Sequence, residues 1–259
     1  MSSNRALELA VIDLIIANRV LARLGAVDAY GHVSVRHPTD NGRFLLSCSR
    51  SPEHVEAADI MEFDLRGEVV GKDSRSPYLE RFIHAGIYAS RADAHAVVHG
   101  HARVLIPFTV TNLVMRPVFM TADEIGAHVP VWDIRHRFGD STDMLIVNME
   151  QGADLANALG ADGRVVLLRG HGFVAAARSA SQLIRVCKAL MDNAGAQLEA
   201  MRFGTINELT PGEINARRAS LSDDDSPGLM RGFEYDARMA GLSQLLERRA
   251  ALKGGLPGS

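Results

Sequence analysis

Cysteine is scarce in this chain of 259 residues: only Cys48 and Cys187 are present. Two thiols cannot build the disulfide framework of a small secreted domain, nor by themselves a thiolate metal site. An excess of charge is missing too. With 28 Lys+Arg against 31 Asp+Glu the formal net charge is −3, so no general field draws the protein to nucleic acid or an anionic membrane, and an anionic ligand must be held by local groups. No apolar run approaches the ~20 residues of a membrane span. The first residues pass straight into an amphipathic stretch, without the apolar core and cleavage site of a signal peptide. A soluble, cytoplasmic protein with neither nucleic-acid nor membrane partners is expected. No G-x-G-x-x-G follows a strand-like segment and no Walker loop occurs, which leaves nucleotide-binding folds without support.

What is present is an ordinary globular composition, 47% hydrophobic and 23% charged, which excludes disorder and collagen-like repeats. No internal repeat, low-complexity tract or long linker divides the chain. One domain over 1–259 is expected, with a helical C-terminal extension from about 205.

Leu7, Val11, Leu14, Ile15 and Leu21 recur at helical spacing, which predicts a helix over 5–24 that Gly25 ends. His32-Val-Ser-Val-Arg36 alternates, Asp40-Asn41-Gly42 is a turn signal, and Arg43–Ser47 returns as a hairpin partner. A short strand is expected near 60–65, and a helix over 78–90 with Pro77 at its start. Further strands are read at 95–100, 144–147 and 164–168, and further helices at 149–159, 179–201 and 232–251, with another helix start at Thr210-Pro211-Gly212-Glu213. Hairpins mixed with crossovers favour a three-layer α/β/α sandwich around a mixed, largely antiparallel sheet over a Rossmann fold.

Histidine is the informative excess, ten residues in all. In His99-Gly100-His101, residues two apart on a strand project from one face, so both imidazoles can reach one ion. Two histidines packed at a strand end would give the same pattern. His171 strengthens the metal reading, because it also follows a buried apolar strand and stands between Gly170 and Gly172. Three imidazoles with open positions suit Zn, Mn, Fe or Co, and the spacing does not choose among them. Glu80 falls in the first turn of its expected helix, where a carboxylate is favoured by the dipole. It is either a surface residue, a general acid/base, or a fourth ligand. His84 is expected to pair with Glu80 or pack behind it. His95, ~13 Å along the strand from His99, is read as a core or supporting residue.

Gly31-His-Val-Ser-Val-Arg36, Glu80 with His84, His99-Gly-His101 and Leu168-Arg-Gly-His171-Gly172, in this order, resemble the class II aldolase/adducin family over most of the chain up to about Met201. The resemblance implies an α/β/α fold, a homotetramer with active sites between subunits, and a divalent ion on His99, His101 and His171. It makes Glu80 the catalytic acid/base. Mn2+ is the expected ion, with Zn2+ or Co2+ as alternatives, and no organic cofactor is implied.

The departures from the family's sugar-phosphate aldolases are informative. Small phosphate-cradling residues are replaced at Gly31-His32, Ser47-Cys48-Ser49-Arg50-Ser51-Pro52 and Tyr78-Leu79. An imidazole and a guanidinium fork suit a planar carboxylate, although Arg50 could equally be a solvated loop charge. The pattern looks like the decarboxylase branch, which implies an aromatic or heteroaromatic vicinal dicarboxylate with an ortho hydroxyl, held by His32, Ser49 and Arg50. The hydroxypyridine dicarboxylate of vitamin B6 degradation is expected first and a dihydroxyphthalate second. The alternatives are an aldolase or epimerase on a sugar phosphate or hydroxy acid, and an adducin-like interaction domain without chemistry. Trp132 and Phe138 are expected to pack, Asp223-Asp224-Asp225 to form a solvated turn, and the tail after Lys253 to be mobile. Tyr235 or Met239 could reach a neighbouring site, and nothing marks Cys48 as a nucleophile.

Overall fold

A computed structural model describes residues 2–220 and 226–254. The expected acidic turn at 223–225 and the tail at 255–259 lie outside them. In chain order the strands are β1 (His32–Arg36), β2 (Arg43–Ser47), β3 (Ile60–Asp64), β4 (Ala96–Gly100), β5 (Val131–Trp132), β6 (Val165–Leu168) and β7 (Gly172–Ala177). The helices are α1 (Ser3–Arg23), α2 (Arg81–Ser90), α3 (Ile106–Val110), α4 (Arg135–Phe138), α5 (Met149–Leu159), α6 (Ala180–Ala200), α7 (Pro211–Ser220), α8 (Pro227–Met239) and α9 (Ser243–Lys253). No helix among the described residues is long and apolar enough to cross a membrane.

The sheet runs β3-β2-β1-β4-β7-β6-β5. Every neighbouring pair is antiparallel except β5 with β6, so the expected mixed, largely antiparallel α/β/α sandwich is what forms. Alternation along the strands divides the core. Val33, Val35, Val98, Leu167 and Phe173 pack toward α1 and α6, whereas Phe44, Val97, Val166, Leu168 and Val174 pack toward α2 and α5. The outer helices α8 and α9 extend the first layer. The second layer is held close by two glycines. A Cβ on Gly86 of α2 would lie 2.4 Å from the Gly152 carbonyl, and one on Gly152 of α5 would lie 2.2 Å from that of Phe82, so the two helix backbones touch.

Three expected elements differ. The 144–147 strand does not form. Its amides are taken by side-chain oxygens instead of a neighbouring strand: Met144 by Thr142, Leu145 by Asp143, Val147 by Gln151 and Ile146 by Glu80. The 78–90 helix begins only at Arg81, because Pro77 is engaged in a β-bridge with Cys48. The 232–251 helix is two helices, broken at Gly241, which takes a φ of 75°.

Candidate metal centre and active site

Both histidine-bearing segments leave the sheet at the same end of its strands. His99 lies in β4, His101 just beyond it, and His171 in the tight β6–β7 turn, closed by its own amide on the Leu168 carbonyl at 3.1 Å. Gly170 supplies the φ of 64° which that turn requires. Gly172 lets the turn approach β4: a Cβ there would stand 2.2 Å from the Gly100 carbonyl oxygen. The alternation of strand residues and the bare backbone at their ends thus bring the three imidazoles together, with all their ligand atoms within 4.8 Å of one another.

The orientation of each ring follows from what meets its Nδ1. His99 donates from Nδ1 to the Phe173 carbonyl at 3.0 Å. His101 donates from Nδ1 to Asp28 Oδ1 at 2.9 Å. Each therefore turns an Nε2 lone pair inward, and these two nitrogens stand 3.0 Å apart. Two lone pairs facing at that distance repel unless a cation lies between them, so the donor set fits a divalent ion. The third ring, His171, packs 5.1 Å from His101, centroid to centroid. Its buried Nδ1 has no partner of good hydrogen-bond geometry, and the Met144 carbonyl is the backbone group that approaches it. Met144 is the only non-glycine residue with positive φ, 66°, among the described residues.

Asp28 is a supporting residue that the sequence did not reveal. Burial raises its pKa, but hydrogen bonds from His101 and from the Tyr30 and Gly31 amides outweigh that and hold the carboxyl below its ordinary value. It is thus an anion at neutral pH, fitted to orient a metal-binding imidazole. Burial keeps His99 well below the usual histidine range, with the neighbouring imidazoles adding to the effect, and sets His171 at about 4. Both rings are neutral, as ligands must be.

Glu80 Oε2 stands 3.6 Å from His99 Nε2 and 3.8 Å from His171 Nε2. Glu80 occupies the position before α2 but its carboxylate does not cap that helix. Its Oε1 instead accepts the Ile146 amide at 3.1 Å. Burial pushes its pKa up to about 7, against the Ile146 hydrogen bond. A carboxyl group so placed can hold a proton near neutrality and face the cavity with it.

The cavity beside these groups has a volume of about 490 Å³ and is lined by His32, Ser49, Tyr78, Glu80, His101 and His171 among others, with no Lys or Arg among them. Arg50 departs from expectation. Its guanidinium lies on Asp59 at 3.1 Å and the His54 carbonyl at 2.7 Å, turned from the cavity by the nearest available anion. Its backbone instead meets Tyr78 of the cavity wall: the Arg50 carbonyl accepts the Tyr78 hydroxyl and the amide approaches the same oxygen. His84 does not pair with Glu80 either. It is fully buried and bonds to His32 and Ser34, both of which project from β1 onto its face of α2. His95 is exposed at the opposite end of β4, outside the core. Trp132 is buried with its indole N–H on Asp154, and Phe138 packs in the same layer. The Cys48 thiol has its pKa raised by burial and by Asp59, the reverse of an activated nucleophile.

This fold is that of the class II aldolases and adducins. Residues 12–198 match the model of the Class II Aldolase and Adducin N-terminal domain, and the chain belongs to that family. Within it, the chain is 34% identical over 193 residues to the decarboxylase tropJ of Talaromyces stipitatus, covering 70% of this chain and 73% of that one. It is 31% identical over 238 residues to a 3,4-dihydroxyphthalate decarboxylase of Terrabacter, covering 86% and 93%. Among solved structures, an aldolase II superfamily protein from Pseudomonas syringae superposes with a TM-score of 0.75 at 21% identity, covering 93% of this chain and 95% of that one; that likeness speaks for the fold.

Proposed function

We propose that this protein is a lyase, a metal-dependent, non-oxidative decarboxylase of an ortho-hydroxy aromatic vicinal dicarboxylate. The observation that carries this reading is the pair of Nε2 lone pairs of His99 and His101, facing each other at 3.0 Å beside a carboxyl group with pKa about 7. The likeness to 3,4-dihydroxyphthalate decarboxylases supports it. Those relatives favour a dihydroxyphthalate-like benzene ring, and 3-hydroxy-2-methylpyridine-4,5-dicarboxylate is the second substrate to test.

His99, His101 and His171 would hold the ion, with Mn2+ the first choice and Zn2+ or Co2+ next. A bound divalent ion supplies Lewis-acid stabilisation of negative charge. Glu80 does the proton work. With Oε1 occupied by the Ile146 amide, the proton sits on Oε2, on the cavity side. As the ring–carboxylate bond breaks, its electron pair stays on the ring carbon, CO2 departs, and Glu80 gives that carbon its proton. Solvent then reprotonates Glu80. His32 and Ser49 hold the second carboxylate and fix the ring plane. Arg50 acts through its backbone, by steadying Tyr78. A homotetramer with sites between subunits belongs to the same proposal. Tyr30 and Leu79, exposed by 77% and 64% at the mouth of the cavity, are the apolar rim that a second copy would cover.

The test is metal analysis of the purified protein together with CO2 release from 3,4-dihydroxyphthalate, the hydroxypyridine dicarboxylate and, as the competing chemistry, aldol cleavage of L-fuculose 1-phosphate. Metal-dependent CO2 release from either dicarboxylate is expected. Cleavage of the sugar phosphate with no CO2 from the dicarboxylates would overturn the proposal.

A further inference from the structure

Four side chains on the α2 side of β1 form a hydrogen-bonded string of which the proposed reaction uses only the first. His32 Nδ1 lies 2.6 Å from His84 Nε2, His84 Nδ1 lies 2.6 Å from Ser34 Oγ, and Ser34 Oγ lies 2.9 Å from the Tyr88 hydroxyl. None of the four is more than 2% exposed. The string exists because a strand repeat of two residues runs along a helix repeat of four: His32 and Ser34 face His84 and Tyr88.

Each link holds one hydrogen, so the string can run in one of two directions. In the first, Tyr88 donates to Ser34, Ser34 to His84 Nδ1, and His84 Nε2–H to His32 Nδ1, which leaves His32 its hydrogen on Nε2. In the second every bond reverses, and the phenolic hydrogen at the buried end must find another acceptor. Two considerations select the first. A phenol is the better donor and the poorer acceptor against an aliphatic hydroxyl. Ser34 is the side-chain partner of the phenol among the described residues, so a reversed string would leave the buried phenolic hydrogen without a side-chain acceptor.

We infer that Tyr88, Ser34 and His84 are positioning residues that fix His32 as a neutral imidazole carrying its hydrogen on Nε2, an uncharged N–H donor to an anionic oxygen in the cavity. What meets Nδ1 decides the role of each ring. His99 and His101 meet acceptors there and turn lone pairs inward, whereas His32 meets a donor and turns a hydrogen inward. Its ring lies 5.2 Å from that of His99, centroid to centroid, yet the string bars it from the metal set. It gives a cavity without Lys or Arg a donor for the second carboxylate. The assignment of that oxygen to a carboxylate rests on the proposed function; the tautomer does not.

The experiment is multiple-bond 1H–15N correlation of the imidazole rings in the full chain loaded with diamagnetic Zn2+, with the His32 signals assigned by their loss in His32→Gln. A protonated Nε2 and a bare Nδ1 are expected for His32. A hydrogen on Nδ1, or a doubly protonated ring, would overturn the inference while leaving the decarboxylase reading intact. Tyr88→Phe should mix the two tautomers and raise KM for a dicarboxylate by roughly 3- to 10-fold, the weight of one hydrogen bond. Ser34→Ala should do the same and Ser34→Thr should restore much of the loss. An unchanged His32 spectrum in folded Tyr88→Phe and Ser34→Ala would also overturn it. If those variants fail to fold, the spectrum of the unaltered protein decides alone. A correct tautomer with no turnover of any dicarboxylate would sink only the functional reading.

Discussion

Ile146 donates its backbone amide to Glu80 Oε1 at 3.1 Å, and this leaves Oε2 turned toward His99 and His171. One oxygen of the carboxyl group is thereby fixed for binding and the other for proton transfer. Glu80→Gln keeps the acceptor that Ile146 needs but cannot carry an acidic proton. It should retain bound metal and lose turnover by about 10²–10⁴-fold, the usual weight of general acid–base catalysis. Metal content and CO2 release measured on the same preparation check both halves, and full activity in the variant would remove Glu80 from the chemistry.

Asp28 acts on the metal through His101. Asp28→Ala removes the acceptor that fixes the ring and should weaken metal affinity by roughly 10–100-fold. In Asp28→Asn a carbonyl oxygen can still accept from Nδ1, so the loss should be smaller. His101→Ala should abolish binding. Titration of the metal-free protein with Mn2+ or Zn2+ ranks the three, and equal affinity in Asp28→Ala and the unaltered chain would refute the role given to Asp28.

Gly172→Ala would set a methyl group 2.2 Å from the Gly100 carbonyl, whereas at Gly195, inside α6, the nearest atom is Val104 Cγ2 at 3.9 Å. The first substitution should destabilise the protein by about 1–3 kcal/mol or more through overpacking. The second should stabilise it by ~0.5–1 kcal/mol through helix propensity. Urea denaturation of both variants tests whether close backbone approach, and not glycine as such, is what the metal turn depends on.

His84 is fully buried and burial lowers its pKa from 6.5 to about 3. In the unfolded chain it takes up a proton below about pH 6.5. The unfolded state therefore binds more protons than the folded one between pH 6.5 and 3, and stability present above 6.5 is lost as the pH falls. This residue alone contributes a slope of up to ~1.4 kcal/mol per pH unit in that interval. Thermal unfolding of metal-free protein should show the midpoint falling from pH 7 to pH 5. In His84→Gln that fall should be shallower, and an equally steep fall in the variant would show that His84 is not the group responsible.

The parts of the site legible in the sequence are those written in short local patterns. His99-Gly-His101 and Arg169-Gly-His171-Gly172 could be read because strand alternation and glycine at a strand end are local rules, and Glu80 followed from the family's order of segments. Asp28 was not legible, since a loop aspartate acquires its meaning only from the imidazole brought against it from β4. The string from His32 to Tyr88 was likewise hidden: its members were visible singly, but the meeting of β1 with α2 joins residues some fifty positions apart. The place of Arg50 was not legible because the partners of its guanidinium, Asp59 and the His54 carbonyl, are set by the fold of the loop after β2. Met144–Val147 read as a strand for its apolar run, yet an apolar run does not tell whether its amides will find another strand or a set of side-chain oxygens. The layered architecture was legible from the mixture of hairpins and helices, whereas β5 and β7 went unread: β5 is two residues long, and β7 is the small-residue run Gly172–Ala177, without an alternating pattern.

The contact of Gly86 with Gly152 has a consequence for the reaction. One of these helices starts beside the proton donor, and the other is entered through the loop that steadies it, so the distance between helix axes sets how firmly the donor's second oxygen is gripped. A side chain inserted at that crossing would part the helices, slacken the grip and make the donor a weaker acid, with no change to any group that touches a substrate. Apolar bulk placed at Gly86 or Gly152 is thus expected to shift the acidity of the centre from a distance.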